Sequence, residues 1–540
     1  MTLLQRRPGA ALAALAAIVF VLAAASALRT TFPLVLSDEA NYLLPTLHGY
    51  GAANFERWSI LSAMPNHLYY AIYRTLAGPD LYLHAKVLNA AFLAASVYPI
   101  YGVARTRLPA GEATLLAALG AAAPVTSYAR YFMPEALYQL GFWLAVLVVL
   151  RTLPRSAPLA GLAAGMATGA LSLVKPHALA LAAAMAVFLA LREGGWRRRL
   201  GAACLVVATC AVTRTLFVAV LTGDAEAALA GPGYSGMLQG GFAAWPALRN
   251  ALGHLAALLL LASAPLWVVS RHVGLALVRR APADDVALLA LCVLGALVAM
   301  TVVFSTSVYA LAPDTERITR LHGRYYAFAL PLLVIAFAAV SREAPAWMPG
   351  KRTAVTLCAL TLVAAIAVAL GYETGFVDFP DLSVLTRWPQ ALLIAGPAAA
   401  CCILAARRTR WHGGAARAVP VAWWGAVAVA TSAVLLAAPF GGKAFKPNAV
   451  DHALATPALR ALVGRDDVMV VGGQSDPGAP YRVMFHLASR ARGRLQGEGT
   501  AIAPAQIPAD VRVLVLLPRI AFGGAADTIE VGPLTLVTLP

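Results

Sequence analysis

Apolar stretches of about 20 residues with almost no charge recur along most of the chain, and they decide what it can fold into. Ala10–Leu28, Leu200–Leu221 and Thr353–Leu370 contain no acid and at most one base. Each is long enough for a helix to cross a bilayer, which takes roughly 20 residues. Hydrophobic residues make up 60% of the sequence and charged residues only 12%, with a mean hydropathy of +0.73. A water-soluble core could not hide that much apolar surface. The sequence therefore reads as a polytopic α-helical membrane protein.

Arg6 and Arg7 stand ahead of the first apolar run, as in a signal peptide, but the run is long and others follow, so it reads as a retained first helix. With those arginines in the cytoplasm, about 13 spans follow: 10–28, 87–104, 113–128, 136–150, 157–174, 177–191, 200–221, 251–270, 286–304, 325–341, 353–370, 389–406 and 420–438. The even-numbered connections are then short and basic. They hold Arg105 and Arg107; Arg151 and Arg155; Arg192 and Arg197 to Arg199; Arg271, Arg279 and Arg280; Arg342, Lys351 and Arg352; and Arg407, Arg408, Arg410 and Arg417. Cytoplasmic loops retain Lys and Arg in this way. The net charge of +17 is thus a topology signal and implies no nucleic-acid partner, because no basic patch is interleaved with aromatics. All six cysteines lie inside apolar stretches, so neither a disulfide framework nor a zinc motif is visible.

The opposite face carries the long connections Arg29–Lys86, Thr222–Asn250, Ser305–Gly323 and Gly371–Pro389. Long loops on one side place the working surface outside the cytoplasm. Within the first, Leu36, Leu43, Leu44 and Leu47 space an interfacial helix over Leu36–Tyr50. Hydropathy falls after residue 440, dividing the chain into a membrane domain (1–440, with outer loop 29–86) and a small extracytoplasmic α/β domain (441–540). In the latter, Val468–Val471, Val511–Leu517, Thr528–Val531 and Leu534–Leu539 predict strands, and Pro457–Val463 and Tyr481–Arg490 predict helices. Gly472–Gly473 lacks the full spacing of a nucleotide-binding turn.

Few charges face outward. Asp38 and Glu39 are adjacent acids at a membrane interface, costly to desolvate unless used or solvated; Ser37 or Asp38 could equally cap the interfacial helix. Glu135 follows Pro134 at the start of span four, where the helix dipole also favours an acid. Lys175-Pro176-His177 breaks two apolar runs, serving as a hairpin or meeting a lipid phosphate. Arg317, Arg320, His322, Arg324, Tyr325 and Tyr326 gather before span ten, against the positive-inside bias, which invites an anionic ligand.

Taken in order, Asp38-Glu39, Met133-Pro134-Glu135, Lys175-Pro176 and Gly323-Arg324-Tyr325 through Pro331 resemble the motifs of the GT-C superfamily, the polyprenyl-phosphate-sugar glycosyltransferases that include protein mannosyltransferases and lipid A aminoarabinose transferases. The resemblance covers the membrane part. It implies a GT-C-like fold in the inner or plasma membrane, N-terminus inside and C-terminal domain outside. The implied reaction moves a sugar from a polyprenyl phosphate to an extracytoplasmic lipid, polysaccharide or protein. By position Asp38 is the implied general base, with Glu39 and Glu135 holding the acceptor or a divalent cation. Lys175 and Arg324 would stabilise the departing phosphate, with Tyr325, Arg320, His322 and Arg130 as further substrate contacts. Glu135, His67 and His322 are the candidate cation ligands; Glu56 or His67 would supply the charge other members carry in a second juxtamembrane helix. An O-antigen-type ligase or polymerase would rely on late-loop arginines without the early acids. A transporter would need internal repeats and midplane charges, for which Arg214 is the main candidate.

Overall fold

The computed structural model describes residues 8–29, 33, 36–48, 65–76, 80–121, 128–192, 195–223, 243–311, 317–343, 351–374, 378, 449–473, 478–487 and 492–540. The expected spans 389–406 and 420–438 and residue Glu56 lie outside them. The membrane part runs α1 (Pro8–Ala27), the short helices α2 (Leu36–His48) and α3 (His67–Arg74), then α4 (Leu81–Ala104), α5 (Ala110–Ala121) and α6 (Glu135–Thr152). It continues through α7 (Ala157–Ser172), α8 (Ala178–Leu191), α9 (Trp196–Thr222), α10 (Ala244–Arg279), α11 (Asp285–Leu311), α12 (Leu330–Glu343) and α13 (Lys351–Gly371). Among the described residues, six of these are long and apolar enough to cross a membrane, and the chain is a multi-pass membrane protein.

Each of the first eleven expected spans overlaps a helix, the third running on into residues 122–127, which lie outside the described residues. Local chemistry sets several ends: Ser156 caps α7 by accepting the Leu159 N–H at 3.4 Å, with proline in the first turn. Pro265 removes one amide donor from α10, and the backbone departs from helical geometry three residues earlier, at Ala262. Arg107–Asp284 (2.8 Å), Arg192–Asp285 (2.6 Å) and Arg342–Glu112 (3.2 Å) join connections that the alternation puts on one face. The motif residues meet at the opposite face.

Helices α7 and α9 approach unusually closely because α7 presents Gly161, Gly165 and Gly169. A methyl group on Gly165 would stand 1.8 Å from Thr209 Oγ1 and 2.5 Å from Val206 O, and one on Gly169 would stand 2.6 Å from Cys210 O. Small residues at this spacing let backbones touch where lipid offers no hydrophobic driving force. Gly165→Ala is therefore expected to cost about 1–3 kcal/mol by forcing the helices apart, read as a lower thermal midpoint in detergent. Gly201→Ala on α9, whose methyl would meet nothing within 4 Å, should leave the midpoint unchanged.

The C-terminal part contains α14 (Ala449–Leu454), α15 (Pro457–Arg460), β1 (Val468–Gly473), α16 (Gly478–Leu487), β2 (Arg492–Gln496), β3 (Ala501–Ile502), β4 (Val513–Leu516), β5 (Ala521–Phe522), β6 (Asp527–Val531) and β7 (Leu534–Thr538). Its five-stranded sheet has the order β2-β1-β4-β7-β6, parallel across β2, β1 and β4 and antiparallel beyond. Val468–Val471 of β1 and all of β4 are buried, as central strands covered on both faces must be. Gly472 belongs to helix packing: a methyl there would lie 2.3 Å from Pro480 Cγ at the start of α16.

Candidate active site

The first turn of α2 carries Asp38 and Glu39, and adjacent helical positions diverge by about 100°. The two acids accordingly face different partners. Glu39 is fully buried and accepts the Tyr82 hydroxyl and the Phe132 N–H, each at 2.8 Å. Lys86, also fully buried, sits 4.3 Å from the Tyr82 ring centroid. Asp38 instead accepts Arg324 Nη1 at 2.9 Å.

Arg324 is presented by a 3-10 turn, Gly323–Tyr325, rather than by the expected start of span ten. A second such turn, Ala327–Ala329, delays α12 to Leu330. Asp378 fixes this segment. Its carbonyl accepts the Arg324 N–H at 2.7 Å, Oδ2 accepts Arg320 Nε at 2.7 Å, and Oδ1 lies 3.3 Å from His322 Nδ1. Burial alone would raise the Asp378 carboxyl, but hydrogen bonding and charge from His322, with the Arg324 and Arg320 charges, hold it well below the usual carboxylate range. A carboxyl depressed in this way stabilises the folded loop above its ordinary pKa and loses that contribution only in acid. Arg317 pairs with Glu373 at 2.7 Å, and the Glu373 backbone exchanges bonds with Thr319 and Leu321. Much of the arginine cluster expected to await an anion thus meets protein carboxylates.

Pro134 and Glu135 start α6, and Lys175 closes the α7–α8 turn. Lys175 Nζ reaches Glu135 Oε1 at 2.7 Å, both side chains being 4% exposed. Burial pulls the Lys175 ammonium below its ordinary value, against the opposing pull of Glu135. Tyr325 joins the two ion pairs: its ring centroid lies 4.8 Å from Lys175 Nζ and 5.2 Å from Arg324 Cζ, and its hydroxyl accepts Arg324 Nη2 at 3.2 Å. His177 stacks on the same ring at 4.2 Å and 23°.

Around this hub, Arg324 Nε, Glu135 Oε2, both ring nitrogens of His177 and the Tyr138 hydroxyl are buried without a hydrogen-bond partner among the described residues. Each unsatisfied group costs about 1–3 kcal/mol. These groups lie beside the two cations, Lys175 and Arg324.

The fold therefore gathers Asp38, Glu135, Lys175, Arg324 and Tyr325, while Arg320 and His322 turn onto Asp378. Arg130 donates to Ser26 Oγ of α1. His67 opens α3, where burial, reinforced by the Arg214 charge, pushes its imidazole down to about 4. Glu135, His67 and His322 are not grouped, and among the described residues no three His, Cys, Asp or Glu side chains form a metal-ligand set. Lys175 holds one oxygen of Glu135, the only acid of the three candidates. Sequence reasoning missed Asp378, Tyr82 and Lys86. Of these only Lys86 left a signal, a charge at the head of an apolar run.

The architecture is an ArnT-like fold. ArnT from Cupriavidus metallidurans, solved in the apo state, aligns with a TM-score of 0.51 over 97% of this chain and 96% of its own, at 14% identity. The Archaeoglobus fulgidus oligosaccharyltransferase tethered to an acceptor peptide containing the NVT sequon aligns over 95% of this chain and 70% of its own, at 13% identity and TM-score 0.45. The same organism's AglB, with an inhibitory peptide and a dolichol-phosphate, aligns over 93% and 69%, at 14% identity and TM-score 0.42. No family model and no curated protein matches the sequence.

Proposed function

We propose that the chain is an integral membrane glycosyltransferase that moves a sugar from a polyprenyl phosphate to a hydroxyl-bearing acceptor outside the cytoplasm. The observation that carries this reading is the pair of cations, Lys175 and Arg324, flanking Tyr325, with Asp38 bound to one of them. In the proposed step the acceptor oxygen bonds to the anomeric carbon while its proton passes to the Asp38 carboxylate. The bond from that carbon to the phosphate oxygen breaks, and its electron pair leaves on the phosphate. That group gains one negative charge, which preorganised Lys175 and Arg324 are placed to stabilise. Glu135 holds Lys175 and keeps its second oxygen, buried without a hydrogen-bond partner among the described residues, for the acceptor, whereas Glu39 holds Tyr82 and the Phe132 backbone in place.

The same reading divides the chain into a catalytic membrane domain (1–440) and a domain (441–540) above the outer surface, with the N-terminus inside. Reporter fusions at Arg155 and Arg198 should then report cytoplasm, and fusions at Asn54 and Gly499 the outside. A cytoplasmic Gly499 would remove the C-terminal domain from the active face. The activity itself is tested in proteoliposomes supplied with polyprenyl-phosphate hexoses and pentoses. Release of polyprenyl phosphate that depends on an added acceptor supports the proposal, and no turnover of any such donor would contradict it.

A further inference from the structure

Helix α2 is gripped from two sides. Leu43 packs in the membrane core, but Leu44, 1% exposed, packs in the core of the C-terminal domain with Val450, Leu454, Tyr481, Met484 and Leu487. Three of those residues come from α16. On the same helix Phe485 stands edge-on to Tyr82, with ring centroids 4.9 Å apart at 85°. Tyr82 in turn donates its hydroxyl to Glu39, the immediate neighbour of Asp38. Tyr481 lies one turn before Phe485 and shares its face; burial and the Asp38 charge both push its hydroxyl upward. α16 is itself braced against α14, where Asp451 accepts Arg482 Nη1 and lies 3.2 Å from His486 Nε2.

We propose that α16 is a positioning element for the reaction: through Phe485, Tyr82 and Glu39 on one side and Leu44 on the other, the C-terminal domain sets the first turn of α2 so that Asp38 faces Arg324. This inference rests on Asp38 being the general base. It gives the C-terminal domain a role inside the membrane site: the domain orders the catalytic turn and leaves donor binding to Lys175 and Arg324.

The test uses the full-length protein and the variants Phe485→Ala, Phe485→Leu and Tyr82→Phe, with Ile529→Ala on the exposed strand β6 of the same domain as control. Two readouts are taken: the split of kcat from donor KM, and deuterium uptake across residues 36–44. Phe485→Ala should lower kcat about 10-fold, a modest loss of positioning, with donor KM within about twofold, and Phe485→Leu should restore most of the rate. Tyr82→Phe keeps the ring contact and loses the hydroxyl's bond to Glu39. It should lower kcat similarly, and combining it with Phe485→Ala should add little, since both act through one path. Deuterium uptake across α2 should rise in Phe485→Ala and Tyr82→Phe and stay at the wild-type level in Ile529→Ala. Unchanged kcat or unchanged uptake in those two variants would overturn the inference. Raised uptake in a protein that turns over no donor would support the positioning role and count only against the proposed function.

Discussion

Replacing Asp38 with asparagine is expected to reduce transfer at least ~100-fold, the lower end of what a general base contributes. The substitution is nearly isosteric, and the asparagine oxygen can still accept Arg324 Nη1, the contact that Asp38 now makes at 2.9 Å. Insertion, detergent stability and donor binding should therefore persist while the proton acceptor is lost. Full activity in a normally expressed Asp38→Asn protein would contradict the assignment and leave Glu135 as the acid to test. Glu39 is the weaker substitute, since its carboxylate already accepts Tyr82 and Phe132.

The second large effect concerns the cations. A hydrogen bond to a charged group contributes about 1.5–3 kcal/mol, so Lys175→Ala and Arg324→Ala should each slow donor use by about 10- to 100-fold. Both residues lie against one ring. If both reach one phosphate, the double variant should be slower than either single by much less than the product, with a coupling of at least about 1 kcal/mol. Lys175→Ala leaves Glu135 buried without its ion-pair partner, and removing one partner of a buried pair costs about 3–5 kcal/mol. The cycle is therefore run on Glu135→Gln as well, so that lost folding is separated from lost phosphate binding. Arg324→Lys should not be silent, because an ammonium cannot contact Asp38 and Tyr325 through two nitrogens as the guanidinium does. Small, additive effects would reduce Lys175 to a turn residue.

The helices were legible because lipid imposes a pattern that local sequence must obey: about 20 apolar residues, then a basic turn. Their ends were less so. Tyr325, expected to open span ten, sits with Arg324 in a 3-10 turn where Asp378 holds the Arg324 backbone. No local pattern announces a partner more than 50 residues away. The same holds for Arg320 with Asp378, and for Tyr82 with Glu39 at 43 residues: a buried charge declares that it needs a partner, but not which one. In the C-terminal domain the central strands were readable from Val468–Val471 and Val513–Leu516, which are apolar and buried. The edge strand Arg492–Gln496 was not, since it reads Arg-Gly-Arg-Leu-Gln and, among the described residues, pairs with a strand on one side only. The motif order Asp38, Glu135, Lys175, Arg324 was the most informative feature, because four short signals scattered over the sequence meet around one tyrosine.

A structure of the protein with a bound polyprenyl phosphate would show directly whether Lys175 and Arg324 hold the leaving group. The phosphate is predicted to lie against Tyr325, within hydrogen-bond reach of Lys175 Nζ and the open Arg324 Nε, and beside Asp38 on the side from which an acceptor would approach. A phosphate bound elsewhere, with both ion pairs intact and Tyr325 untouched, would contradict the account.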